Sequence, residues 1–194
     1  MFFISLFAAS SFDAFTDDLE IQGQLNHDLM EFVVNQKEDY GTALKEIKNG
    51  EKSSHWIWYI MPQEQNSRQN NFRLNIRKAK EYLKFNQDGI DLGNNYLEIM
   101  KEVEKQLFEK GIQPLVLMGG EPDDRKLTHS VELFFAATHG SQDGSIEKEI
   151  YQVCGRILMH PGLEPYKKRF QGRDLREFGI NVSDKIQSKI IQDH

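Results

Sequence analysis

The sequence has little cysteine, no long apolar run and no excess of positive charge. Its single cysteine, Cys154, excludes an intrachain disulfide and a thiolate metal cluster, and it indicates a reducing, cytosolic compartment. No stretch approaches the roughly 20 apolar residues that a membrane span needs. The net charge of -6 argues against general binding to nucleic acids or to anionic membranes. We therefore expect no membrane partner and no nucleic-acid partner.

The sequence also lacks the common catalytic and cofactor motifs. It contains no dinucleotide-binding glycine motif, no P-loop, no GxSxG and no HExxH, and its six histidines are scattered. No pair of histidines has convincing metal-ligand spacing, so we predict neither a metal site nor a cofactor. Cys154 lies among apolar residues at helical spacing, which is typical of an inert, buried thiol.

The length and composition are those of one globular domain with extensions. The chain has 194 residues, of which 39% are hydrophobic and 28% are charged. We predict a helical domain over residues 25–180, an N-terminal extension over 1–24 and a C-terminal helix or tail over 181–194. The first residues are apolar and faintly resemble a signal peptide, but no lysine or arginine precedes them, so an extra strand or helix on the body, or a poorly ordered extension, is the favoured interpretation.

Apolar residues recur mainly at helical spacing. This pattern predicts an all-α, compact single domain of about five to seven helices, without the strands of a doubly wound sheet. Asp39 is interpreted as the N-cap of the second helix, and Asn49-Gly50 as its end. The predicted helices lie near residues 29–34, 39–48, 75–85, 96–110, 122–138 and 146–159, with a last one from Ser183.

The segment HWIWYIM, residues 55–61, has no clean period. It fits a buried strand or a buried helical turn, and periodicity alone does not decide between them. In a helix Trp56 and Tyr59 would share a face, whereas in a strand Trp56 and Trp58 would. Pro62 removes a backbone donor, so the element should end there.

Three candidate site residues come from this region. His55 could act as an acid, a base or a ligand donor, because imidazole exchanges protons near neutral pH; the alternative is a histidine bonded to a backbone carbonyl. Trp56 could form an aromatic wall for a planar ligand, or it could pack in the core. Gln63 follows the proline and offers donors and an acceptor; the alternative is a capping or loop hydrogen bond.

Two further candidates lie on one predicted helix. Lys126 and Ser130 are four residues apart and could hold and orient an anion. Asp123 and Asp124 already occupy the positive end of this helix, which weakens the case for a phosphate at that terminus. The alternative is a surface ion pair between aspartate and lysine. The basic, aromatic stretch at 166–178 is diluted by acidic residues and is interpreted as a solvated face.

Several segments resemble one protein family, called domain of unknown function 1810. The most specific is HWIWYIMPQ at residues 55–63, preceded by YGTALKEIKNG at 40–50. Residues 79–83 and 122–134 are similar to two later family segments, and the resemblance covers about residues 27–140. It implies a compact, mainly α-helical domain, and it carries over no established activity.

From these observations we hypothesise that the motif segments converge on one cleft. The cleft would bind a small anionic or nucleotide-like ligand, with an enzymatic role in which His55 is the acid or base. The alternative is a non-catalytic protein-interaction module. The predicted site residues are His55, Trp56, Gln63, Lys126 and Ser130.

Overall fold

The computed structural model describes residues 7–64 and 72–167, with 7–22 and 24–26 as backbone only. The helices are α1 Phe7–Lys48, α2 Ile57–Ile60, α3 Ile76–Tyr82, α4 Leu92–Phe108, α5 Pro114–Leu117, α6 Asp123–Ala137, α7 Ile146–Leu158 and a 3₁₀-helix at Pro161–Tyr166. The strands have two residues each: β1 Gln63–Glu64, β2 Arg73–Leu74, β3 Asn86–Gln87 and β4 Ile90–Asp91. β1 pairs with β2 in parallel, and β3 pairs with β4 antiparallel. The predicted all-α class is therefore confirmed.

One long helix, α1, replaces the first two helices predicted from the sequence. The assignment of Asp39 as an N-cap was wrong, because Asp39 lies inside α1 and its carboxylate accepts a hydrogen bond from the Tyr59 hydroxyl. The residues just before it contain neither glycine nor proline, so nothing interrupts the helix. The predicted end is confirmed: α1 stops at Lys48, and Gly50 has a positive φ of 86°.

The ambiguous aromatic segment forms the short helix α2. Its end is closed by a hydrogen bond of 2.9 Å from the Met61 N–H to the Ile57 carbonyl. Trp56 and Tyr59 are buried while Trp58 is partly exposed, as a helical arrangement requires. The helical alternative is thus confirmed, and Pro62 follows directly.

Side-chain caps determine where three of the later helices begin. At each start a polar side chain accepts a hydrogen bond from the backbone N–H three residues on, which satisfies a donor that has no partner within the helix. These caps are Asn75 for α3, Asp91 for α4 and Ser145 for α7, with distances of 2.9, 2.9 and 3.2 Å. The predicted helices in these regions are confirmed.

Helix α6 lies at the centre of the core and positions the candidate site. It contacts α2, α3, α5, α7, β1 and the 3₁₀-helix, while α4 packs against α1 and α7. The Phe134 ring lies between the rings of Tyr82 and Tyr96, at centroid distances of 5.4 and 4.0 Å. Because α6 begins near the surface and continues into the core, its first turn carries the partly exposed side chains of Asp123 and Lys126.

Some predictions concern parts of the chain that lie outside the described residues. These are the last predicted helix from Ser183, the C-terminal tail 181–194, and most of the basic, aromatic stretch, from residue 168 onward. Within the described ranges, no helix has the combination of length and apolar character that crossing a membrane requires.

Candidate functional site

The segment before α2 and the first turn of α6 meet in a group that we call the lysine–tryptophan cluster: Lys52, Trp56, Trp58, Asp123 and Lys126. The Asp123 carboxylate accepts from the Lys52 ammonium at 2.6 Å and from the Lys126 ammonium at 2.7 Å. The Lys52 nitrogen lies 5.2 Å from the Trp56 ring centroid, and the Lys126 nitrogen lies 4.4 Å from the Trp58 ring centroid. Each ammonium therefore combines an ion pair with a cation–π contact.

The backbone around Lys52 fixes its position against α6. The Lys52 N–H donates to the Leu117 carbonyl at 2.8 Å, and its ammonium donates to the Ser54 carbonyl at 2.5 Å. Gly119 has a φ of 70°, and a Cβ there would lie 2.3 Å from the Lys52 carbonyl oxygen. Only glycine permits this close approach, which brings the turn before α6 next to Lys52.

Glu46, near the end of α1, anchors the chain that leads into α2. Its carboxylate accepts hydrogen bonds from the Ser53 N–H at 3.0 Å and the Ser53 hydroxyl at 2.9 Å. It also accepts from the N–H and hydroxyl of Ser54, and from the Trp56 indole N–H at 2.7 Å. Burial by itself would raise the pKa of Glu46, but the hydrogen bonds from Ser54, Ser53 and Trp56 outweigh it and lower the pKa to about 2.

This depressed pKa predicts an acid dependence of stability. Because the folded-state pKa of Glu46 lies below its ordinary value of 4.5, its stabilising contribution is fully present above pH 4.5 and is lost as the pH falls toward 2. The free energy of unfolding of the wild-type protein should exceed that of Glu46→Gln at neutral pH. Urea unfolding at a series of pH values should show this difference shrinking on acidification. A difference that is independent of pH would contradict the assignment.

The first turn of α6 has two carboxylates with different surroundings. Burial would raise the pKa of Asp123, but hydrogen bonds from Lys126 and Lys52 outweigh it and hold the pKa below its usual range. Asp124 is buried and accepts from the Arg125 N–H at 2.8 Å. Both acidic groups also lie where the helix dipole favours negative charge. The positive end of the α6 dipole therefore already interacts with two carboxylates of the protein itself.

The structure places the three predicted site residues near α2 in different surroundings. His55 is exposed. Trp56 is 1% exposed, so its ring packs in the core, and its indole N–H donates a hydrogen bond to Glu46. Gln63 is buried in β1, where it pairs with Arg73 of β2. The partly exposed ring in this segment is Trp58, on the other side of the helical turn.

The two predicted residues on α6 have different depths in the fold. The Lys126 side chain is 18% exposed, whereas Ser130 is 0% exposed and its hydroxyl lies 3.2 Å from the Tyr96 hydroxyl. They share a helix face, but α6 enters the core within one turn. The structure thus brings Trp56 and Lys126 to the same ion pair: Trp56 contacts Lys52, and Lys126 contacts Asp123. Ser130 lies deeper in the core.

Sequence reasoning missed Lys52 and Glu46. Lys52 comes just before an aromatic run, and Glu46 lies on the apolar-patterned helix, but neither has a spacing that predicts its partner. The ion pair of Lys52 joins residues far apart in the chain, so only the packing of α6 against the segment before α2 creates it. The predicted inert thiol is buried: burial raises the pKa of Cys154 to about 12.

Comparison with known proteins identifies the family. A family model described as protein of unknown function (DUF1810) matches residues 26–154. The chain belongs to the DUF1810 family. The matched region of this DUF1810 protein contains the whole lysine–tryptophan cluster and Glu46.

A solved structure shows a similar fold. It is the crystal structure of the conserved hypothetical protein Rv1873 from Mycobacterium tuberculosis, which is 24% identical to this DUF1810 protein. The match covers 78% of this chain and 93% of that chain, with a TM-score of 0.52. At this identity the similarity shows the fold alone. None of the curated proteins matches the chain.

Proposed function

We propose that the protein binds a small anionic ligand with a planar group, such as a nucleotide, at the surface of the lysine–tryptophan cluster. Lys126 would hold the anionic group, Trp58 would stack with the planar group, and His55 would donate a hydrogen bond from the same segment. The observation that carries the proposal is a single carboxylate shared by two ammonium groups beside a partly exposed indole. The remaining predicted site residues would support these groups from the buried side: Trp56, Gln63 and Ser130.

The charge of the cluster favours an anion. Lys52 and Lys126 carry two positive charges, and Asp123 carries one negative charge between them. The Glu46 carboxylate accepts from neutral donors and not from either ammonium. The carboxylates of Glu46 and Asp124 lie next to these groups, so an anion would be attracted by direct contact with the Lys126 ammonium, and this attraction should weaken as ionic strength rises.

The hydrogen-bonding capacity of Lys126 favours it as the ligand contact. A lysine ammonium has three donors. Within the described ranges, that of Lys126 donates one hydrogen bond, to Asp123, whereas that of Lys52 donates to both Asp123 and the Ser54 carbonyl. Lys126 thus has two donors left for a phosphate or carboxylate without losing its contact with Asp123. Base–aromatic stacking on Trp58 would add about 1–3 kcal/mol.

Removing the Lys126 ammonium should abolish most of the binding. In a thermal-shift screen of inorganic phosphate, pyrophosphate and nucleoside phosphates, we expect one class to stabilise the protein. Lys126→Ala should weaken that ligand by about tenfold or more, because a charge-assisted hydrogen bond contributes about 1.5–3 kcal/mol. Trp58→Leu should weaken the binding of a nucleotide but not the binding of inorganic phosphate.

Lys105→Ala is the matched control, because it removes the same charge from an exposed side chain of α4. Equal weakening in Lys105→Ala and Lys126→Ala would indicate a nonspecific charge effect and contradict the proposal, as would a screen in which no anion stabilises the protein. The enzymatic form of the proposal makes His55 an acid or base. In that form His55→Ala should lower turnover by far more than it weakens ligand binding, which loses only one hydrogen bond.

The alternative function, a protein-interaction module, is favoured by one observation. Leu115 and Val116 are adjacent on α5 and are 49% and 54% exposed. Exposed apolar side chains of this kind can contribute to the contact surface of a protein partner. A partner that is lost on Leu115→Ser and retained on Lys126→Ala would support this alternative over the ligand site.

We further propose a cytoplasmic location. The support is the single cysteine, Cys154, which is buried as a free thiol, an arrangement typical of reducing compartments. Cell fractionation with a tagged full-length chain tests the location.

A further inference from the structure

A second candidate site lies at the junction of three helices. A cavity of about 330 Å³ opens between the end of α3, the end of α6 and the start of α7. Its volume falls at the lower end of the range of small-molecule sites, roughly 300–1,000 Å³. Buried Leu83 and Ala137 form its apolar wall. Its lining contains no residue of the lysine–tryptophan cluster, so the two sites can be tested separately.

Two lysines belong to the lining of this cavity. Lys80 lies in the last turn of α3, and Lys84 lies in the turn that follows it. Both are exposed, and within residues 7–64 and 72–167 neither ammonium has an ion-pair partner. Two ammonium groups without an ion-pair partner in one cavity lining favour a ligand with a phosphate or similar anion.

The cavity lining also offers hydrogen-bond acceptors, from the connection between α6 and α7 and from the start of α7. The Ser141 hydroxyl donates to the Thr138 carbonyl at 2.5 Å, and the Ser145 hydroxyl donates to the Gln142 carbonyl at 2.8 Å. Since their protons are in use, both hydroxyl oxygens can only accept from a ligand, and that of Ser145 already accepts one hydrogen bond from the Lys148 N–H at 3.2 Å. Glu147, also in the lining, is a carboxylate and accepts as well. A simple anion would be repelled by Glu147, whereas a ligand with hydroxyl groups would donate to it.

We propose that this cavity binds a small phosphorylated sugar or polyol. The phosphate is held by Lys80 and Lys84, and the hydroxyl groups of the ligand donate to Ser141, Ser145 and Glu147. This arrangement explains why ammonium groups and a carboxylate line one cavity. The phosphate of such a ligand needs positively charged donors, whereas its hydroxyl groups need acceptors. The apolar wall contacts the carbon skeleton between them.

The test uses the full chain with ribose phosphate, glucose phosphate, the parent sugars and inorganic phosphate, by thermal shift and calorimetry. A sugar phosphate should raise Tm, the parent sugars should not, and inorganic phosphate should bind about tenfold more weakly. Lys84→Ala should weaken the sugar phosphate by about tenfold. Glu147→Gln should weaken the binding of the sugar phosphate. The binding of inorganic phosphate should stay unchanged or become slightly tighter.

Two controls separate this site from the first. Lys110→Ala should leave sugar-phosphate binding unchanged, because Lys110 does not line the cavity, and Lys126→Ala reports any binding at the lysine–tryptophan cluster. Failure of all sugar phosphates to bind, equal binding of inorganic phosphate, or an equal loss in Lys110→Ala would each overturn the proposal. Loss on Lys126→Ala with retention on Lys84→Ala would assign the ligand to the lysine–tryptophan cluster instead.

Discussion

Trp56→Ala should destabilise the protein by about 4 kcal/mol, since removal of a fully buried large aromatic side chain costs 3–5 kcal/mol. The ring is 1% exposed, and its indole N–H donates to Glu46 at 2.7 Å. The substitution removes apolar contacts, leaves a cavity and takes one donor from the Glu46 carboxylate. Urea unfolding followed by circular dichroism measures the change in the free energy of unfolding.

Trp58→Ala is the matched control for this prediction. It removes the same side chain two residues away, where the ring is partly exposed, and should cost about 1 kcal/mol. Trp56→Phe should have an intermediate effect, because it keeps an aromatic ring but loses the donor to Glu46. Similar losses of stability in Trp56→Ala and Trp58→Ala would show that the burial of the two rings does not differ as described.

Asp123→Ala should destabilise the protein by about 3 kcal/mol, because it removes the carboxylate partner of a nearly buried ammonium. The side chain of Lys52 is 6% exposed and has Asp123 as its ion-pair partner. Without this carboxylate, the ammonium is left in a poorly solvated place beside the Trp56 ring, where desolvation is costly. The midpoint and slope of a urea unfolding curve give the change.

Two comparisons make this second prediction specific. Asp143→Ala also removes an aspartate partner of a lysine, but Asp143 is almost fully exposed, so we expect no measurable change in stability. Adding Lys52→Met to Asp123→Ala should recover part of the loss, because an apolar side chain of similar length tolerates the buried position. If the double variant is less stable than Asp123→Ala alone, the unpaired Lys52 charge is not the cause.

Much of the helical architecture could be predicted from local patterns. Apolar spacing located α4, α6 and α7, and Asn75 and Gly50 match a helix start and a helix end. The errors and ambiguities have local causes too. A capping residue such as Asp39 is also tolerated inside a helix when its side chain finds a tertiary partner, here Tyr59. The aromatic segment was ambiguous because four residues are too few to show a period.

The candidate site could be predicted only in part. The pairing of Lys126 with Asp123 follows from their spacing of three residues on one helix. Which tryptophan is buried, and which lysine shares Asp123, depends on how the segment before α2 packs against α6. The cavity beside Lys84 and Glu147 likewise joins residues from helices that are distant in sequence.

The sequence by itself determined the all-α class, most helix positions and the family, because these depend on residues that are near neighbours along the chain. The tertiary structure alone decided that Trp56 is buried, that Lys52 pairs with Asp123 and that Lys80 faces a cavity. Contacts of this kind form between segments far apart in the chain, and no periodic pattern records which side chains will meet.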